Sequence, residues 1–272
     1  MTALQGETMR ILKTLFLMWL AVSFCGCSRE YRDDLDYSYG VVQTWPMESL
    51  LFGDLVQFES VPLDLDETES LRKLIIDDSI AANRNVLEVG TGTGLIAILC
   101  LQNEASRVVA IDWNPAAVAN ARYNAAALDS EANLEVRPTG RKKAVFSGVQ
   151  EKEKFDLVIV NFSDAIPPVV AGNEVAKSEI DDHDVWRDAL LDQLKSHLSV
   201  GGRCLFIVHD KQAITRLVDA AEGENYQTKV LDSRDWETLE REIRPSMVVE
   251  IRVAANAEIV AEGEFISPPS TQ

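Results

Sequence analysis

Positive charge is scarce in this sequence: 26 Lys and Arg stand against 44 Asp and Glu, giving a formal net charge of -18 and a pI near 4.6. Non-specific binding to a phosphate backbone depends on Lys and Arg neutralising phosphates, so nucleic acid is disfavoured as a partner. The one basic group, Arg137 with Arg141, Lys142 and Lys143, reads as a solvated loop face rather than a phosphate patch. Cysteine and histidine are also few, at four and three residues. Cys25 and Cys27 close an N-terminal apolar stretch, whereas Cys100 and Cys204 sit in apolar segments and read as buried thiols. Neither pair has metal-ligand spacing with histidines, so no metal is expected. Consecutive residues such as Asp181-Asp182-His183-Asp184 cannot all point at one ion without a dedicated loop, and they read as a loop entering a helix N-terminus. His183 and His197 receive no functional role. Internal repeats and low-complexity tracts are absent.

What is present is an α/β alternation. A chain of 272 residues is long enough for one large α/β domain with a sizeable core. Its centre is Asn85-Val86-Leu87-Glu88-Val89-Gly90-Thr91-Gly92-Thr93-Gly94, followed by the apolar run Leu95-Ile96-Ala97-Ile98-Leu99. An apolar β-branched segment, three glycines at alternate positions and a helix-like pattern read as strand, tight turn and helix start. Glycine suits a turn whose backbone adopts positive φ and approaches a ligand closely, with free N–H groups at the helix start facing it. A second strand, Arg107-Val108-Val109-Ala110-Ile111-Asp112, ends in a carboxylate about 20 residues later, where a ribose-binding acid would sit. A dinucleotide fold wants G-x-G-x-x-G, and Leu95 stands where its third glycine belongs. Glu88, just before the loop, suits a cationic or neutral cofactor better than a pyrophosphate.

Glu88-Val89-Gly90-Thr91-Gly92-Thr93-Gly94 resembles the first motif, E/D-x-G-x-G-x-G, of the class I S-adenosylmethionine-dependent methyltransferases. The resemblance extends over about residues 70 to 253 and points to the small-domain type, including release-factor glutamine and ribosomal-protein methyltransferases. It implies a Rossmann-like, doubly wound, mostly parallel seven-stranded sheet with the last strand antiparallel. It also implies S-adenosyl-L-methionine as cofactor, with Glu88, Gly90, Thr91, Gly92 and Gly94 around its methionine part, Asp112 on the ribose hydroxyls and Trp113 against the adenine. Phe155-Asp156-Leu157-Val158-Ile159-Val160-Asn161 resembles the strand that ends in N-P-P-Y in enzymes modifying planar nitrogens. Asn161 is therefore expected at both cofactor and acceptor. The following residues, Phe162-Ser163-Asp164, depart from that motif, with prolines only at Pro167 and Pro168. For an acceptor that must lose a proton, Asp164 is the first candidate base and His209 the second.

Around these motifs, the pattern predicts helices over 67–82, 95–103, 115–128, 184–198 and 211–222. Asp66-x-x-Glu69 offers a capping-box-like start to the first, and Asn114-Pro115 a cap and first-turn proline to the third. Strands are expected near 134–136, 155–161, 203–208, 226–231 and 247–253. Residues 30–66 read as a linker and candidate lid, with Tyr39-Gly40 and Trp45-Pro46 as aromatics that pack or reach the site. The methyltransferase domain is placed at 67–257, followed by a tail at 258–272.

Residues 1–29 resemble a secretory signal, with a basic flank at Arg10 and Lys13 and an apolar core from Leu15 to Phe24 that is shorter than the roughly 20 residues of a comfortable span. Gly26 before Cys27 resembles a lipoprotein signal, making Cys27 a candidate lipidation site. An uncleaved anchor and a cytoplasmic apolar N-terminus are the alternatives. The sequence thus leads to an enzyme transferring a methyl group to a protein or small-molecule acceptor, with membrane association through the N-terminal segment. A catalytically altered S-adenosylmethionine-binding module is the second reading and an NAD-dependent oxidoreductase the third.

Overall fold

Apolar residues alternate between two faces along the central strands, and helices close both. The computed structural model describes residues 32–141, 144–161, 174–238 and 242–254. The chain divides into a unit at Met1–Leu35, whose described part is a short turn, and a unit at Asp36–Gln272, to which the following refers. Strands β1 (Val41–Pro46) and β2 (Asp54–Phe58) pair antiparallel around the short helix α1 (Glu48–Leu51). Then come α2 (Glu69–Ile76), β3 (Asn85–Val89), α3 (Leu95–Gln102), β4 (Arg107–Asp112), α4 (Pro115–Ala127), β5 (Leu134–Pro138) and β6 (Phe155–Val160). They are followed by α5 (Glu174–Leu194), β7 (Leu198–Asp210), α6 (Lys211–Gly223), β8 (Tyr226–Val230) and β9 (Glu242–Val253).

The main sheet has the order β5-β4-β3-β6-β7-β9-β8. Its first five strands run parallel, and β9 lies antiparallel between β7 and β8, which is the expected seven-stranded sheet. Val86, Val108, Ala110, Leu157 and Ile159 face the cluster that holds Ile75, Ile98 and Ala121 of α2, α3 and α4. Leu87, Val89, Ile111, Val158 and Val160 face the other cluster, with Leu190 and Leu194 of α5 and Ile214 and Leu217 of α6. Coverage on both faces is why these strands read as continuous apolar runs rather than alternating ones. The chain winds outward from β3 through β4 to β5, then returns to place β6 on the other side of β3. Such a reversal opens a crevice at the carboxyl ends of β3 and β6.

Two sequence expectations need correction. The helix expected over 67–82 spans only Glu69–Ile76, and its N-cap, Thr68, makes no side-chain cap bond. Asp64 Oδ1 instead accepts from the backbone of Asp66 and Glu67, so the acids build a turn and no capping box. The helix stops because Ser79 takes a left-handed φ of 51°. Asp181-Asp182-His183-Asp184 lies inside α5, which starts at Glu174, rather than before a helix.

The segment before α2 holds the β1–β2 hairpin. The edge of β2 away from β1 is closed by two asparagines of α4 in place of a further strand. Asn120 Oδ1 accepts from Phe58 N at 2.9 Å and Asn124 Oδ1 from Val56 N at 2.9 Å, and both side-chain amides donate to Val56 O at 2.8 Å. Tyr39 stacks on Phe58, and Trp45 Nε1 donates to Gln57 Oε1, so both aromatics pack within the hairpin. Among the described residues no helix is long and apolar enough to cross a membrane, and no cluster of His, Cys, Asp and Glu could hold a metal. Cys100 and Cys204 are free and fully buried.

Candidate active site

Three turns meet at the crevice: the glycine turn after β3, the Asp112-Trp113 corner after β4, and Asn161 after β6. Gly90, Gly92 and Gly94 all take positive φ, at 82°, 54° and 85°. At Gly94 the backbone also presses on α4, because a Cβ there would lie 3.1 Å from Ala121 Cα and Cβ. At Gly92 a Cβ would point at Pro62 O, 3.8 Å away. The strap Ser60-Val61-Pro62 therefore passes close to the turn, pinned by Asn114 Nδ2 donating to Ser60 O at 2.8 Å. Asn114 caps α4 as expected, its Oδ1 accepting from Ala116 N.

Asp112 is nearly buried, and both carboxylate oxygens are engaged: Oδ2 accepts from Gly92 N at 3.0 Å and Oδ1 from Asn114 N at 2.8 Å. Burial pushes this carboxyl up from its ordinary range, against the backbone N–H groups that favour its charged form. Each carboxylate oxygen has a second lone pair, so the group can still receive ribose hydroxyls through charge-assisted bonds. Trp113 is partly exposed, and the Arg141 guanidinium lies 3.6 Å from its ring centroid. Arg141 thus backs Trp113 by a cation–π contact. Arg137, earlier in the same basic group, is locked between Glu135 and Glu153.

Glu88 is fully buried on the α3 side of β3. Its Oε2 accepts from Thr91 Oγ1 at 2.8 Å and its Oε1 from Asn161 Nδ2 at 3.3 Å. Burial raises its pKa to about 8, opposed by those two hydrogen bonds and reinforced by the Asp112 charge. Asn161 N donates to Val89 O at 3.0 Å, which fixes the residue after β6 to the end of β3. The structure thus brings together Glu88, Gly90, Thr91, Gly92, Gly94, Asp112 and Asn161, with Trp113 on the rim. Asp164 and the departure from N-P-P-Y lie outside the described residues. His209 belongs to β7, and Asp210 beside it caps α6 by accepting from Gln212 N and Ala213 N. A cavity of about 90 Å³ lies on the opposite sheet face, among Val160, Phe206, Trp186 and Arg216.

Residues 67–166 match the family model for ribosomal protein L11 methyltransferase (PrmA). A solved ribosomal protein L11 methylase from Lactobacillus delbrueckii subsp. bulgaricus superposes with a TM-score of 0.52 at 21% identity, covering 72% of this chain and 83% of that one. The chain shares the fold of that methylase. Among curated relatives, release factor glutamine methyltransferase of Cereibacter sphaeroides is 34% identical over 173 residues, 57% of each chain. Ribosomal protein L11 methyltransferase of Ruminiclostridium cellulolyticum is 32% identical over 96 residues, 35% of this chain and 29% of that one. The chain therefore spans little more than half the length of the first and under a third of the second. Around the crevice, three features escaped the sequence reading: the strap at 60–62, the Arg141 backing of Trp113, and Asn124, which bonds Thr93 O in the glycine turn at 2.8 Å. Two asparagines four apart in an otherwise alanine-rich helix were the available signal for the last.

Proposed function

We propose that this protein transfers the methyl group of S-adenosylmethionine to a protein acceptor. The observation that carries this reading is the pairing of the triple-glycine turn with Asp112, whose carboxylate reaches back to Gly92 N. The names of the relatives, enzymes of a release factor and of ribosomal protein L11, support a protein as acceptor. The chain's acidic balance supports a partner other than nucleic acid.

In this reading Glu88, Gly90, Thr91, Gly92 and Gly94 enclose the methionine part of the cofactor, Asp112 takes the ribose, and Trp113 borders the adenine. The cofactor supplies a methyl group on a sulfonium centre that becomes neutral as the group leaves, so positioning and exclusion of water supply much of the acceleration. Asn161 orients the acceptor, and Asp164 is the first candidate to take its proton. Calorimetry on wild type and Asp112→Ala tests the reading. Micromolar binding of S-adenosylmethionine and S-adenosylhomocysteine, no binding of NAD, and at least tenfold weakening by the substitution are expected. No binding of either sulfur compound overturns the reading.

The second reading, a binding module with altered catalysis, is favoured by Phe162-Ser163-Asp164 in place of the residues after Asn in N-P-P-Y. Labelled-methyl transfer to release-factor and ribosomal proteins separates the two, since the module binds cofactor and labels nothing. We also infer membrane association through residues 1–29, with Cys27 as lipidation site. A full-length fusion found wholly in the soluble fraction overturns that inference.

A further inference from the structure

The proposed role of Asn161, with its amide oxygen facing the acceptor as in the N-P-P-Y enzymes it resembles, leaves open what holds the amide in that sense. A planar amide carries a donor NH2 on one side and an acceptor oxygen on the other, and an ionised carboxylate can only accept. Glu88 Oε1 stands 3.3 Å from Asn161 Nδ2. The backbone cannot swing away to relieve a wrong choice, because Asn161 N is held by Val89 O.

We propose that Glu88 is the positioning residue for Asn161: by holding the amide NH2 it turns the Oδ1 carbonyl oxygen toward the acceptor, ready to receive an N–H or O–H. The inference rests on the methyltransferase reading and gives the first-motif acid a task beyond the cofactor. Its other oxygen is held by Thr91 Oγ1 at 2.8 Å, so one buried carboxylate ties the glycine turn to Asn161. The selection requires charge. A neutral Glu88 carries a proton of its own and can donate to Oδ1 as readily as it accepts from Nδ2, and the amide then loses its fixed sense. The titratable groups that face Glu88 are Asp112 from β4 and the Cys100 thiol from α3; both are acids, and neither supplies a counter-charge. Burial raises the Glu88 pKa to about 8, so in the free protein the amide is fixed above that pH and released below it.

The test is an NMR titration of full-length protein labelled with 15N-asparagine, from pH 6 to 9.5, with the Asn161 side-chain signal identified by its loss in Asn161→Asp. The Nδ2 protons should shift with a midpoint near pH 8 in wild type and stay flat in Glu88→Gln. Two further variants carry the test if that one does not fold. Asp112→Asn removes a neighbouring negative charge and should lower the midpoint, whereas Thr91→Val removes a bond to the charged form and should raise it. A flat wild-type signal, or a titration that persists unchanged in Glu88→Gln, overturns the proposal. Calorimetry with S-adenosylmethionine on the same sample separates the two readings. Binding with no titration refutes the link alone, and titration with no binding refutes the acceptor role together with the function.

Discussion

Asn124 offers a quantitative test of how the glycine turn is held. Its fully buried side chain accepts from Val56 N at 2.9 Å and donates to Val56 O and Thr93 O, both at 2.8 Å. In Asn124→Ala, Val56 O keeps a partner in Asn120 Nδ2, so the groups stranded are Val56 N–H and Thr93 O. Each costs about 1–3 kcal/mol when left unpaired out of water. Against this, alanine gains roughly 0.5 kcal/mol of helix propensity. The net loss is therefore about 3 kcal/mol. Asn120→Ala is the matched control. Asn120 is equally buried, yet its removal strands only Phe58 N–H, because Val56 O is still held by Asn124, and the expected loss is about 1–2 kcal/mol. Urea unfolding of both variants measures the difference. S-adenosylmethionine binding adds a second axis, since only Asn124 touches the turn. The reasoning is refuted if Asn120→Ala costs as much as Asn124→Ala, or if both leave binding equally weakened.

Two pH predictions follow from the charged groups. Glu153 is held near a pKa of about 2, first by Arg137 and then by the backbone of Gln150 and by Arg107. A depressed acid adds stability above its unfolded value of 4.5 and loses it as pH falls through the folded value. Glu153→Gln should therefore cost about 2 kcal/mol at pH 7 and almost nothing at pH 2, read from unfolding midpoints at both. Glu88 has the opposite sign. Its folded pKa of about 8 lies above the ordinary 4.5, so the folded state keeps a proton that the unfolded chain releases. Its contribution to stability falls as pH rises across that window and is level beyond it. The melting temperature of Glu88→Gln relative to wild type should accordingly climb from pH 5 to pH 8; a constant difference would contradict the buried carboxyl.

Much of the fold could be read because helices cover both faces of the sheet, which makes strands 85–89, 107–112 and 155–160 stand out as apolar runs. The same holds for the turn. Three alternate glycines before an apolar helix are a local requirement of the backbone, and the structure meets it with positive φ at all three. The N-terminus of α4 was legible for a similar reason, since Asn114-Pro115 is a cap written in adjacent residues. Asp66-x-x-Glu69 has the same local form and failed, because Asp64 supplies the turn and the helix is only eight residues long.

The sequence by itself determined the elements and chemistry carried by neighbouring residues: the glycine turn, the acid ending β4, and the asparagine ending β6. Only the tertiary structure decided what depends on partners far apart in the chain. The bond from Asn161 to Glu88 spans 73 positions, that from Asn124 to Val56 spans 68, and the strap over Gly92 is pinned across 54. A side chain's charge, orientation and partner are set by burial against such distant groups. No periodicity within a single element encodes them, and the sheet order that makes β3 and β6 neighbours creates them.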